Sequence, residues 1–533
     1  MPSTRPNIVL IMVDDMGYSD LGCYGGEIDT PNLDALAAGG VRMSQFYNTA
    51  RCSPARASLL TGLHPHQTGI GVLVEDDRPL GYPGTINDRC ATMAEVLGAA
   101  GYTTAIRGKW HLTGSLHAPD GHWPTQRGFD SFWGIIAGAA SYYDPATLTC
   151  GTEPVGELPE DFYLTEELGR RAAAFVTEHS QASTDPFFLY LPFNAPHWPL
   201  HAPPDAVART RGRYHEGWDV LRQRRYQRQV ESGLIDGSWP LSERDAEVVP
   251  WAGTADTDWQ EQRMEVYAAQ IELMDAAVGT LVEALTRTGQ LDDTVIMFLS
   301  DNGGCAEEIP TGWVDELSRR PIHTPARTRD GRRVRRGNDT TVTPGGPETF
   351  ASYGKPWANL SNTPFREYKH WVHEGGIATP MIVHWPGGGL RRGTDHDPHQ
   401  LPDVLATVLE ITGAGYPRDV LPLEGLSMLD SWRGTPTPEH PLYFEHEGNA
   451  AIRIGWWKLV RKYPGDWELY DLASDRTELT DLRAFHPDRV LAMSAQWQEW
   501  ADRCDVLPRE QVLRATGEGF GHVSDVQLSS RRS

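Results

Sequence analysis

The sequence predicts an α/β protein. It reads as a large mixed, mostly parallel sheet sandwiched by helices, followed by a smaller C-terminal α+β domain with an antiparallel sheet. Three observations carry this prediction. Strand-length runs that are almost wholly apolar alternate with helical stretches as far as residue 436, which is the pattern of a sheet covered on both faces. Beyond Thr437 the runs become short and partly alternating, as in an antiparallel sheet. At 533 residues, the chain is longer than one ordinary core supports. The expected domains are 1–436 and 437–533.

Asn7–Val13 is an apolar run of strand length. Thr30-Pro31 opens a helix, PNLDALAAGG, that stops at Gly39-Gly40. TMAEVLGAAG is a second helix and leads into the strand YTTAIRG. Helical periodicity over 160–179 feeds the strand PFFLYLPF, and a long amphipathic helix over 261–288 feeds TVIMFLS. PMIVHW is a further buried strand, and LPDVLATVLEITG is the helix beyond it. In the second part, PLYFEH, AAIRIGWWKLVRK and DWELYDL read as short strands, with a helix near 488–503. The arginine-rich segment from Arg209 reads as a solvated helix face, and GRRVRR at 331–336 as an exposed loop.

Composition sets limits. The formal net charge is −24, which gives no general attraction for nucleic acid or anionic membranes. An anionic substrate therefore needs a local positive site. Six cysteines are scattered without CxxC or Cys/His zinc spacing, so neither a disulfide framework nor a zinc site is called for. The N-terminal apolar run ends in two aspartates and reads as a strand, not a signal peptide, and no stretch is apolar enough to span a membrane. The chain as given reads as cytoplasmic.

Chemistry gathers at the ends of the predicted strands, where α/β sheets build their sites. Asp14 and Asp15 end the first strand, and Asp301 and Asn302 end TVIMFLS. DD alone reads as a turn or a helix cap before it reads as a site. Both pairs together form a hard-oxygen set that suits Ca²⁺ or Mg²⁺. Lys109 and His111 alternate in RGKWHL, so on an extended chain both point to one side. His197 follows FFLYLPF between Pro196 and Pro199, where a structural loop histidine is the competing reading. Lys369 precedes Glu374-Gly375-Gly376, a tight backbone approach or a plain turn. In RCSPARASLLTG, Cys52 precedes a helix-starting proline, with Arg56 close by. That placement suits an anion or a reactive thiol, or simply a buried inert cysteine.

Taken together these residues resemble the type I sulfatases, the formylglycine-dependent bacterial arylsulfatases of the alkaline phosphatase superfamily. Residues 52–62 match the family's C-x-P-x-R signature and its Leu-Leu-Thr-Gly tail. The similarity continues through PNIVLIMVDDMGYSDLGCYG, GYTTAIRGKWHLTG, NAPHWPLHAPP, FLSDNGG, YKHWVHEGGIATP and WKLVRKYPGDWELYDL, with 137–158 and 305–358 less recognisable. The resemblance implies an alkaline-phosphatase-like fold and hydrolysis of sulfate esters, aryl sulfates first. It implies that a formylglycine-generating enzyme oxidises Cys52 to Cα-formylglycine, whose gem-diol attacks sulfur and passes through a covalent sulfated enzyme.

By the same resemblance Asp14, Asp15, Asp301, Asn302 and the modified Cys52 hold one Ca²⁺, ahead of Mg²⁺ or Mn²⁺. Asp301 is the base for the attacking hydroxyl, and Arg56 holds the gem-diol. Lys109 and Lys369 grip sulfate oxygens. His197 protonates the leaving oxygen, with Lys369 beside it, and His111 takes the proton from the second hydroxyl. The alternative is a phosphonate or phosphate ester hydrolase of the same superfamily. A non-enzymatic anion-binding protein is a third reading if Cys52 stays unmodified. The natural leaving group and the oligomeric state stay open, and Tyr142, Tyr143, Trp198 and Trp371 are either pocket aromatics or packing residues.

Overall fold

The computed structural model describes residues 5–317 and 323–515. Residues 1–4, 318–322 and 516–533, including the end of the expected 437–533 domain, lie outside the described residues. In chain order the strands begin with β1 (Asn7–Val13), β2 (Val41–Tyr47), β3 (Thr103–Arg107), β4 (Ser131–Ile135), β5 (Leu148–Cys150) and β6 (Glu153–Pro154). They continue with β7 (Phe187–Pro192), β8 (Thr294–Ser300), β9 (Gly312–Trp313), β10 (Arg335–Arg336), β11 (Thr349–Phe350) and β12 (Ala378–His384). The last are β13 (Gly393–Asp395), β14 (His399–Gln400), β15 (Leu442–His446), β16 (Asn449–Ile454), β17 (Trp457–Arg461) and β18 (Glu468–Asp471).

The main sheet runs β13-β2-β12-β8-β1-β7-β3-β4-β5-β6, with β14 also on β2. Its centre, β8-β1-β7-β3-β4, is parallel, while β12 pairs antiparallel with both β8 and β2. Strand β1 shows why the sheet is covered on both faces. Val9, Ile11 and Val13 pack into one core, and Ile8, Leu10 and Met12 into the other. The first core is closed by the helices Pro31–Gly39, Leu164–Ala182 and Thr257–Arg287, and the second by Cys52–Thr61, Met93–Ala99 and Pro402–Thr412. The alternation of strand and helix is as the sequence indicates. The helices expected over 160–179 and 261–288 are displaced, because a turn (Phe162 N–H to Pro159 O) delays the first and a polar opening turn from Thr257 hides the start of the second.

Two expectations are corrected. The arginine-rich helix Gly217–Glu231 is not a solvated face throughout. Arg225 is buried and paired with Asp20 at 2.7 Å and Glu27 at 2.6 Å, and Arg222 is buried on the Asn359 and Ser242 carbonyls. Carboxylates and carbonyls from distant segments make burial of a guanidinium tolerable. GRRVRR is not simply an exposed loop. Val334 is buried and Arg335–Arg336 is the middle strand of the sheet β11-β10-β9.

The second sheet, β15-β16-β17-β18, is antiparallel and carries the helix Pro487–Arg503 on its own small core. Glu374 ties it to the main sheet. This buried carboxylate accepts from Lys458 (2.9 Å), Arg476 (3.0 Å) and the Tyr47 hydroxyl (2.9 Å). Burial alone would raise its pKa, but Lys458, Arg476 and Arg453 hold it down to about 2.

Candidate active site

Topology brings the expected site residues to one edge. Strands β1, β8, β7, β3 and β2 all point the same way, so their carboxyl ends share an edge with the start of the antiparallel β12. In the β1–β8 pair Val13 faces Ser300, which puts Asp14-Asp15 beside Asp301-Asn302. The Asp15 N–H donates to Asp301 Oδ1 at 3.1 Å, and Asn302 Nδ2 donates to Asp15 Oδ1 at 2.7 Å. Asp15 has a left-handed backbone (φ 67°), which turns its carboxylate away from the line of the strand. Gly303 is required here, because a Cβ would come within 1.8 Å of the Gly375 carbonyl.

Cations converge on this acidic group. Lys109 Nζ is 2.5 Å from Asp14 Oδ2, and Lys369 Nζ is 2.8 Å from Asp15 Oδ1. Arg56 Nη2 is 3.1 Å from Asp301 Oδ2 and 3.4 Å from Asp14 Oδ2. His197 Nε2 stands 3.3 Å from Asp15 Oδ2 and 3.4 Å from Lys369 Nζ. All of these side chains are buried or nearly so. Burial works to raise the Asp14 pKa, yet Lys109, His197, Arg56 and Lys369 outweigh it and hold the carboxyl well below its usual range. Asp301 goes the other way: burial and then Asp14 push it up to about 8.

Cys52 is the first residue of the helix Cys52–Thr61, which is buried along its whole length, and is 4% exposed. Arg56 lies one turn on, and Ser53 Oγ lies 3.3 Å from both ring nitrogens of His111. The expectation that Lys109 and His111 share one side of an extended chain is corrected. Strand β3 ends at Arg107, and His111 takes a left-handed backbone (φ 56°). The turn still brings both to the site, Lys109 onto Asp14 and His111 onto Ser53. Burial, then Lys109 and Arg56, keep the His111 imidazole well below its ordinary pKa, hence neutral.

The donor set fits a hard cation. Three carboxylates and an amide meet, and Asp14 Oδ1 and Asn302 Oδ1 are buried with no hydrogen-bond partner. The tightest group differs from the expected one. Asp14, Asp15 and His197 offer donors within 4.8 Å of one another, and among the described residues no group so compact includes Asp301 or Cys52. Arg56 draws Asp301 toward itself, which relieves its repulsion with Asp14.

The sequence reading missed a supporting layer. Arg51, at the N-cap of the Cys52 helix, pairs with Glu307 at 3.0 Å, and Glu307 also accepts from Trp198 Nε1 at 2.9 Å. Tyr142 is a core residue whose hydroxyl reaches the carbonyls of Asn194 (2.9 Å) and His197 (2.8 Å). Trp198 and Trp371 are half-buried and packed on His197 and His370. Nothing local in CAEE or RCSP marks Arg51 and Glu307 as partners.

The Sulfatase family model matches residues 6–414. The chain belongs to the sulfatase family. This sulfatase is 33% identical to an uncharacterized sulfatase of Schizosaccharomyces pombe, with 93% of each chain covered. It is 34% identical to the arylsulfatase of Klebsiella aerogenes, over 80% of this chain and 91% of that one. Human arylsulfatase A is 29% identical over 85% of this chain and 74% of its own. Among solved structures, Ps i-CgsB in complex with k-i-k-neocarrahexaose superposes with a TM-score of 0.68 at 24% identity, covering 97% of this chain and 98% of that chain. The sulfatase is thus an alkaline-phosphatase-like α/β enzyme and a sulfuric ester hydrolase.

Proposed function

We propose that this sulfatase hydrolyses aryl sulfates, with residue 52 as Cα-formylglycine and one Ca²⁺ at the acidic group. The observation that carries the reading is the convergence of Lys109, Lys369 and Arg56 on Asp14, Asp15 and Asp301 beside the buried first turn at Cys52. The 34% identity to an arylsulfatase supports the aryl substrate. Hydrated formylglycine supplies a nucleophilic hydroxyl plus a second hydroxyl through which sulfate can be expelled, and calcium, held by Asp14, Asp15, Asp301 and Asn302, supplies positive charge for the sulfate oxygens.

The chain's own groups do the rest. Lys109 and Lys369 are buried ammoniums fixed by carboxylates, so they meet a sulfate without reorganising. Arg56 has Nε and Nη1 buried without partners, and these are free to hold the oxygens of residue 52. Asp301, its carboxylate oriented by Arg56 at 3.1 Å, accepts the proton of the attacking hydroxyl. His197 directs Nε2 toward the Lys369 ammonium at 3.4 Å, and the proton that Lys369 gives to Nε2 passes to the leaving oxygen. His111, beside the first helical turn, takes the proton of the second hydroxyl when sulfate leaves.

The test is mass spectrometry of the Cys52 peptide from a host with the modifying enzyme, alongside turnover of aryl sulfates. Thiol-to-aldehyde mass loss in the active fraction, with Cys52→Ala inactive but folded, is the expected result. Cys52→Ser should give at most one turnover, since serine lacks a second hydroxyl. Full activity without the mass change, or faster turnover of the matched aryl phosphonate, would overturn the reading.

A further inference from the structure

Beside the active site lies a second group of metal-binding side chains that the reaction does not use. His370 directly follows Lys369. His446 and Glu447 lie at the turn between β15 and β16 of the C-terminal sheet. One donor atom from each of the three lies within 4.8 Å of the other two. His370 Nδ1 is 3.4 Å from Glu447 Oε2, and the two imidazoles meet edge-on with centroids 5.4 Å apart. A tetrahedral zinc with bonds of about 2.0–2.1 Å spaces its nitrogen and oxygen ligands by roughly 3.4 Å, so small side-chain adjustments close the set.

The decisive feature is His446. It is 1% exposed, and neither of its ring nitrogens has a hydrogen-bond partner. A buried imidazole with both nitrogens idle is costly unless something binds it. Its surroundings favour the neutral, ligating form: burial first, then His370 and Arg51, hold His446 well below its ordinary pKa. Burial and Arg51 do the same for His370, which is pushed down to about 3. The backbones of His370 (φ 90°) and Glu447 (φ 52°) are both left-handed, an uncommon state for such residues. Asn449 holds the two loops together, its Nδ2 lying 2.9 Å from the His446 carbonyl and 3.3 Å from that of His370.

Two guanidiniums stand nearby and oppose a cation, and only Arg51 is answered by a carboxylate outside the proposed ligands. Arg51 is paired with Glu307 at 3.0 Å, and Arg509 Nη2 is 3.3 Å from Glu447 Oε2. Glu445 adds a third carboxylate next to Glu447 and is held by His66 at 2.6 Å.

We propose that His370, His446 and Glu447 bind a Zn²⁺ ion. Two imidazoles and one carboxylate suit zinc and not calcium, which takes six to eight oxygens. Three protein ligands leave a tetrahedral zinc one position, which water fills from the side of the partly exposed His370. The ion pins the turn of the second sheet to the residue after Lys369, and so fixes the ammonium that faces Asp15.

The test uses the full calcium-loaded enzyme, equilibrated with Zn²⁺, desalted and analysed for both metals. The same protein is titrated with Co²⁺ and followed by its visible d–d spectrum. The wild type should retain about one zinc and develop the intense bands of a four-coordinate cobalt site. His446→Ala and, independently, Glu447→Gln should weaken zinc by more than the 10–100-fold that loss of a mere supporting partner costs, with calcium content and circular dichroism unchanged. If His446→Ala fails to fold, Glu447→Gln and the wild-type cobalt spectrum still decide. Wild type that retains no zinc overturns the proposal. So does equal retention by the variants, which would seat the metal elsewhere, such as on His64, Glu424 and Cys504.

Discussion

His197 and Trp198 share a short hydrogen bond: the Nδ1 of the histidine lies 2.7 Å from the main-chain oxygen of its neighbour. An oxygen can only accept, so Nδ1 carries the hydrogen and Nε2 is the nitrogen that exchanges protons. Trp198 is itself anchored by Glu307 through its indole, so the tautomer of His197 is held by a chain that ends at Arg51. If Nε2 delivers the proton to the leaving oxygen, His197→Ala should hurt most where the leaving group is poor. Its kcat/KM should fall about 10²–10⁴-fold for alkyl-like leaving groups and far less for acidic phenols. A series of substituted phenyl sulfates checks this, and an unchanged slope against leaving-group pKa would remove His197 from that role.

His111 should fail differently. It touches Ser53, and in the proposed reaction the leaving group has already departed when sulfate is expelled. His111→Ala should lower kcat by a similar about 10²–10⁴-fold, equally for all leaving groups. The sulfated enzyme should build up, with a burst of phenol on mixing. Intact-mass measurement of the quenched enzyme checks this, and a steepened leaving-group slope would contradict it.

The idle oxygens Asp14 Oδ1 and Asn302 Oδ1 suit the acidic group to a hard cation, proposed above as calcium. Chelation should abolish turnover and lower the Tm, and added calcium should restore both. Asp14→Ala should lose the metal, leave Lys109 buried without its carboxylate, and cut kcat/KM by at least about 10³-fold. Metal analysis of dialysed enzyme checks it; a variant that retains calcium would count against the assignment.

Glu374 is predicted to control acid stability. Its carboxyl is held down to about 2 in the folded chain by Lys458, Arg476 and Arg453 acting against burial. A depressed carboxylate contributes stability that is complete above its unfolded pKa of about 4.5 and is lost as pH falls toward about 2. Glu374→Gln leaves Arg476 without its carboxylate and Lys458 with Glu478 alone, and should cost about 3–5 kcal/mol at neutral pH. It should also flatten the fall in Tm below pH of about 4.5. Thermal melts from neutral pH downward check both parts, and parallel wild-type and variant curves would refute the second.

Local chemistry made much of this protein readable from its sequence. The runs NIVLIMV and TVIMFLS read as strands covered on both sides, and an apolar strand that ends in acidic residues points to a sheet edge where charge is gathered. Pro54 in the first turn, with Arg56 one turn on from Cys52, announces a helix that begins at the cysteine. These signals lie within a few residues of one another, so periodicity and backbone preference suffice to read them.

What tertiary structure alone decided are the pairings between segments far apart in the chain. Arg51 meets Glu307, Glu374 meets Lys458 and Arg476, and His370 meets His446 and Glu447, because the topology returns distant loops to one edge of the sheet. A side chain's partner across such a distance leaves no trace in local composition. The same arginine reads as a solvated surface residue in the sequence and becomes buried, as Arg225 does, once Asp20 and Glu27 come within reach. Burial sets which charge survives, and burial is a property of the folded chain.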